Sequence, residues 1–105
     1  AIYLQICDAI CERILKGELG PDDRIPSVRE YGAEIGVNPN TVMRSWEKLT
    51  ADGIIYNKRG IGYFTSSDAR EIILEAQRKE FIENELPAVL RRMHLLGLDP
   101  KELIK

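Results

Sequence analysis

The side chains best equipped for chemistry in this chain crowd into one short stretch: Asn38, Asn40, Thr41 and Arg44. An amide, a hydroxyl and a guanidinium offer donors and acceptors in fixed geometries. Carried at the leading edge of a helix, such a set hydrogen-bonds to base edges in a major groove and to phosphates. The surrounding residues supply that helix. Asn38 suits an N-cap, and Pro39 suits the first helical position, where a missing N–H costs nothing. Val42, Trp46 and Leu49 recur at helical spacing and mark an inner face. Asn40, Thr41 and Arg44 point the other way, and Trp46 reads as core.

The neighbouring elements must position this edge. Ser27 with Glu30 three residues on is a capping box, so a helix is predicted from about 27 to 36, with Val28, Tyr31 and Ile35 inward. Gly32 inside it is locally unfavourable and is expected to admit close approach of the next helix. Gly36-Val37 fits a left-handed stop. Two helices joined this way read as a helix-turn-helix. Before them, Tyr3 to Lys16 is helical, with Ile6, Cys7, Ile10 and Ile14 as its buried stripe; Ile25-Pro26 is extended. After them, Asp52-Gly53 stops the helix. Ile54-Ile55-Tyr56 and Tyr63-Phe64-Thr65 then flank a basic, glycine-rich tip containing Lys58, Arg59, Gly60 and Gly62, the pattern of a β-hairpin.

The predicted fold is mainly α with a small β-hairpin: a winged helix-turn-helix over residues 1–66, followed by a helical dimerisation tail over 67–105. In the tail, Ile72, Ile73, Ala76, Phe81 and Ile82 form a looser apolar pattern. Pro87 predicts a break, with one helix to about Leu86 and another from about Pro87 to Leu95. Leu90, Met93 and Leu96 continue the apolar face, and Asp99-Pro100 begins a last short helix. Such a tail has no core of its own and too few elements to wall a metabolite pocket. Its apolar stripe is expected to be covered by a second copy of the chain.

Composition bounds the alternatives. The chain has 105 residues, 44% hydrophobic and 30% charged, ordinary for a globular domain. No apolar run is long enough to span a bilayer, and no leader segment is evident, so a cytoplasmic setting is expected. Cys7 and Cys11, four apart, read as core packing and imply no disulfide framework. No nucleophile stands near a base, no glycine loop carries a phosphate-binding lysine, and no metal-ligand spacing occurs. Neither an enzyme, a metal nor a cofactor is expected. His94 reads as a solvated or interface residue.

The formal net charge of −2 argues against nucleic acid, but its distribution does not. Residues 1–23 set Arg13 and Lys16 against Asp8, Glu12, Glu18, Asp22 and Asp23, a net −3. Residues 24–66 set Arg24, Arg29, Arg44, Lys48, Lys58 and Arg59 against Glu30, Glu34, Glu47 and Asp52, a net +2. Residues 67–105 come to −1. The positive charge is concentrated where the reading edge lies. It is modest, so affinity for DNA should be salt-sensitive and should need two copies.

Several short motifs in order and at fixed spacing resemble the amino-terminal domain of the GntR family of bacterial transcription regulators. They are Ile2-Tyr3-Leu4-Gln5, Gly17-Glu18-Leu19, Gly20-Pro21-Asp22-Asp23-Arg24-Ile25-Pro26-Ser27-Val28-Arg29-Glu30, Gly36 through Val42, Leu49, Gly53-Ile54-Ile55 and Arg59-Gly60-Ile61-Gly62. The resemblance covers about residues 2–65. The short tail, from Glu85-Leu86-Pro87 to Leu95-Leu96-Gly97, is similar to that of the YtrA subfamily, which lacks the large ligand-binding domains of its relatives. The resemblance implies DNA contacts in three regions: Ser27 and Arg29; Asn38, Pro39, Asn40, Thr41 and Arg44; and Arg59, Gly60 and Gly62 of the wing, with Lys58 beside them. Several relatives carry a base-reading arginine where this chain has Pro39, a departure that shifts the expected role towards Arg29 and Arg44.

The function expected from residues and resemblance together is a sequence-specific DNA-binding regulator, a repressor holding a palindromic operator as a homodimer. A small-molecule effector, of unassigned identity, would act by changing the spacing of the two reading heads. The alternatives are a winged helix used for protein interaction, which would carry an apolar reading face, or the DNA-binding fragment of a longer, ligand-sensing regulator.

Overall fold

The computed structural model describes residues 1–104. The elements run α1 (Ile2–Leu15), α2 (Val28–Ile35), α3 (Pro39–Ala51), β1 (Ile55–Lys58), β2 (Gly62–Thr65), α4 (Ala69–Glu80), a π-helical turn (Phe81–Glu85), α5 (Leu86–Leu95) and α6 (Pro100–Leu103). The chain divides into two compact units, Ala1–Ile73 and Leu74–Lys105.

The first unit is built as its local signals dictate. Ser27 and Glu30 form a complete capping box: the Ser27 hydroxyl accepts from the Glu30 N–H at 3.1 Å, and the Glu30 carboxylate accepts from the Ser27 N–H at 3.1 Å. Gly36 ends α2 in the left-handed conformation, φ 71°, which costs a residue without Cβ nothing. Asn38 then caps α3 by accepting from the Asn40 N–H at 2.8 Å. β1 and β2 pair antiparallel, Ile55 opposite Thr65 and Lys58 opposite Gly62. The segment before α2 adds to the hairpin: Arg24 bridges to Phe64, and the Ile25 N–H donates to the Tyr63 carbonyl at 3.0 Å.

Burial follows the predicted stripes with informative differences. Ile6, Cys7, Ile10 and Ile14 of α1 meet Val42, Trp46 and Leu49 of α3, with Ile25, Tyr31, Ile54 and Ile55. Trp46 is fully buried, packs at 5.2 Å between centroids from Tyr31, and donates its indole N–H to the Pro26 carbonyl at 3.1 Å. Ile35, expected inside, is 41% exposed. It is the last residue of α2 before the chain turns at Gly36, so no facing element covers it. Ala69 and Ile73 of α4 are buried in this same core, and the first unit therefore runs past residue 66.

In the second unit the expected break at Pro87 takes a different form. The proline has no N–H to give to the preceding turn. The backbone answers by widening to a π-turn over Phe81–Glu85, closed by the Leu86 N–H donating to the Phe81 carbonyl, and no loop intervenes. Along α5 and its C-cap, Leu86, Val89, Met93 and Leu96 recur at intervals of three and four. The unit buries no side chain of the π-turn, α5 or α6 fully, and leaves Ile82, Leu95, Leu103 and Ile104 well exposed, Leu95 at 83%.

Candidate nucleic-acid interface

Every residue expected at the interface belongs to the first unit, in three places. At the start of α2, Ser27 is half-buried, with its oxygen accepting the cap bond from the Glu30 N–H. Arg29, in the first turn, is exposed. At the start of α3, the Asn38 oxygen is committed to its cap and the other edge of its amide is free. Pro39 and Asn40 are exposed, and Thr41 is half-buried. Arg44 projects on the outer side, its guanidinium carbon 3.9 Å from the centroid of the Tyr3 ring.

The third place is the hairpin tip. The Ile61 N–H donates to the Lys58 carbonyl at 2.9 Å, closing a tight turn that exposes Arg59 and Gly60. Lys58 lies with its ammonium 5.0 Å from the Phe64 ring centroid. Gly62 sits at φ 143°, and a Cβ there would stand 3.2 Å from Arg24 Nε. The wing base is thus shaped to admit the Arg24 side chain, a cation that spacing alone did not single out.

The electrostatics favour an anionic partner. Lys48 is tied to Asp52 at 2.8 Å, and Lys16 to Glu12 at 2.9 Å. Among the described residues Arg24, Arg29, Arg44, Lys58 and Arg59 have no ion pair, so Arg29 does not pair with Asp23. Hydrogen bonds from the Ser27 backbone and hydroxyl hold the Glu30 carboxyl below its ordinary range, keeping the cap charged. The two cysteines are free, and burial pushes the Cys7 thiol up and Cys11 up to about 11, which favours the protonated thiol. No group of His, Cys, Asp and Glu among the described residues could hold a metal ion.

Two α3 residues escaped the sequence reading. Met43 is exposed on the outer face beside Asn40 and Arg44, where an apolar side chain can contact a thymine methyl. Its signal was present: an apolar residue off the inner stripe. Ser45 is fully buried, its hydroxyl donating to the Tyr3 carbonyl at 2.7 Å; a polar residue at an inner position signalled nothing by itself.

A capped helix-turn-helix with a polar outer edge, followed by a two-stranded wing with a basic tip, defines a winged helix-turn-helix protein. Residues 2–64 match the bacterial regulatory proteins of the gntR family, and the chain belongs to that family. It is similar to the HTH-type transcriptional repressor YtrA of Bacillus subtilis, at 35% identity over 102 residues, 97% of this chain and 78% of YtrA. Among solved structures it is similar to a GntR-family transcriptional regulator from Bacteroides thetaiotaomicron (47% identity, TM-score 0.84, covering 98% of this chain and 89% of that one). It is also similar to AraR(DBD) in complex with operator ORR3 (30% identity, TM-score 0.59, covering 61% of this chain and 77% of that one). The chain is a DNA-binding transcription regulator of the YtrA-like kind.

Proposed function

We propose that the chain is a repressor that binds a palindromic operator as a homodimer, with the first unit reading DNA and the helical tail joining two copies. The observation that carries this reading is the outer edge of α3. Asn40, Thr41 and Arg44 offer hydrogen bonds there, and the same unit exposes Arg29, Lys58 and Arg59, which have no ion pair among the described residues, in a chain that is acidic as a whole. Ser27, Arg29, Asn38, Pro39, Asn40, Thr41, Arg44, Lys58, Arg59, Gly60 and Gly62 form the proposed contact set. Phosphate contacts fix the register of a helix in the groove, and base-edge contacts choose the sequence.

The tail supports the dimer. Leu86, Val89, Met93 and Leu96 lie at the three-and-four spacing of a helix that packs on another, and Ile82 and Leu95 add exposed apolar area beside them. A dimer doubles the cations available to one duplex, which a first unit of modest charge needs. Repression would be steric: a dimer on a promoter excludes polymerase. A small-molecule effector would act by altering the spacing of the two reading units. The protein works in the cytoplasm, where its DNA lies.

Fluorescence anisotropy on the DNA upstream of its own gene and on a shuffled duplex, over a salt series, tests the reading. Binding confined to the native duplex and weakened by salt and by Arg44→Ala is expected. Equal binding to both duplexes would refute a sequence-specific repressor.

A further inference from the structure

We propose that Tyr3 is a positioning residue for base recognition: its ring holds the Arg44 guanidinium by a cation–π contact and so presents its N–H donors to a guanine. The proposal rests on the reading of α3 as the DNA-reading helix. With 3.9 Å between guanidinium carbon and ring centroid, Arg44 lies over the Tyr3 ring in a cation–π contact. The guanidinium carries five N–H donors in one plane, and a pair of them can make a bidentate contact, the geometry that matches the O6 and N7 acceptors of guanine.

The arrangement is built from both sides. Ser45, next to Arg44 in the chain, is fully buried, and its hydroxyl donates to the Tyr3 carbonyl at 2.7 Å. The Cys7 thiol, one turn along α1, donates to the Ser45 carbonyl at 3.5 Å. These bonds run in opposite directions between α1 and α3. They pin the backbone that carries the ring to the backbone that carries the guanidinium. Lys48, one turn beyond Arg44, is drawn instead to Asp52 at 2.8 Å, so it does not compete for the ring. No carboxylate among the described residues pairs with Arg44. A free arginine must surrender its rotamer freedom on binding, whereas one already held on a ring has less to lose.

The full chain first selects its preferred duplex from a random-sequence pool. Anisotropy then compares that duplex, copies carrying 7-deazaguanine at each half-site guanine in turn, and a shuffled duplex. Tyr3→Phe should bind as the wild type does. Tyr3→Leu should weaken the preferred duplex roughly two- to tenfold, the size of a cation–π contact, and leave the shuffled duplex nearly unchanged. In an Arg44→Ala background Tyr3→Leu should have no further effect. One 7-deazaguanine position should weaken the wild type while leaving Tyr3→Leu and Arg44→Ala less affected.

Equal weakening on both duplexes, or an undiminished effect of Tyr3→Leu beside Arg44→Ala, would reduce the ring to packing and overturn the proposal. Tighter binding by Tyr3→Leu would show that the ring draws Arg44 away from DNA, and would overturn it too. Tyr3→Met is measured alongside, so that a Tyr3→Leu chain that melts early does not decide the matter. A wild type that selects no duplex would instead refute the reading of α3 itself, before any variant is made.

Discussion

A Cβ placed on Gly32 would stand 2.7 Å from the Val37 carbonyl oxygen and 3.6 Å from Pro39 Cα. The glycine inside α2 therefore lets the turn fold back against the helix it has just left, a closeness reinforced by the Val37 N–H donating to the Gly32 carbonyl at 2.9 Å. The obstructing atoms are backbone, so they move only if α3 moves with them. Gly32→Ala should destabilise the first unit by about 1–3 kcal/mol, the range for overpacking a tight site. Thermal unfolding followed by circular dichroism checks this, and a melting point equal to that of the wild type would contradict it.

The cap of α2 should make stability depend on pH on the acid side. Glu30 has its carboxyl lowered in the folded chain, first by the hydrogen bond from the Ser27 backbone and then by the Ser27 side chain. A group with a depressed folded value binds protons more readily when unfolded. Its contribution is therefore complete above the ordinary value of 4.5 and is lost as pH falls through the lower folded value. Glu30→Gln should lower the denaturant midpoint at neutral pH, and its gap from the wild type should close on acidification below 4.5. A gap constant down to that range would argue against the charged cap.

At the wing, Arg59 and Lys58 are expected to differ. Arg59 is exposed at the hairpin tip and has no ion pair among the described residues, whereas Lys58 has its ammonium 5.0 Å from the Phe64 ring centroid. Removing one phosphate-binding cation reduces the slope of log affinity against log salt by about 1. Arg59→Ala should show that change, with Lys58→Ala showing less. Identical slopes for Arg59→Ala and the wild type would remove the wing from the contact set.

For the tail, Val89→Asp combined with Leu96→Asp should yield monomers in sedimentation while the first unit melts as before, because both residues lie in the other unit. Truncation tests the same point only if it spares α4's first turns. Ala69 and Ile73 are 1% and 2% exposed, so a cut at residue 68 would open the DNA-reading unit as well as remove the tail. A double variant that stays dimeric would move the interface elsewhere.

What could be read from the residues was what neighbours in sequence decide. The Ser27–Glu30 box, the Gly36 stop, the Asn38 cap with Pro39 behind it, and the stripe of Val42, Trp46 and Leu49 are all settled within one or two helical turns. What escaped depends on partners far along the chain. Tyr3 lies forty-one positions from Arg44, and nothing in either neighbourhood announces that they meet. Ser45 carries no signal of its own in the sequence, and its hydroxyl finds its acceptor in the distant Tyr3 carbonyl. Ile73 read as tail because its periodicity belongs to α4, yet its burial belongs to the core formed by α1 and α3. Pro87 announced an interruption, but whether a helix answers by breaking or by widening is decided by the backbone bonds around it.

The π-turn over Phe81–Glu85 adds a residue to one loop of the helical spiral. Each residue of an α-helix advances about 100° around the axis. Deleting a single residue between 81 and 85, and so restoring ordinary helical bonding, would swing the stripe of Leu86, Val89, Met93 and Leu96 by about that angle relative to the last turn of α4. In a loop, a change of one residue alters only length. Here it acts as a gear, able to turn the face by which one copy could meet another without altering any side chain on that face.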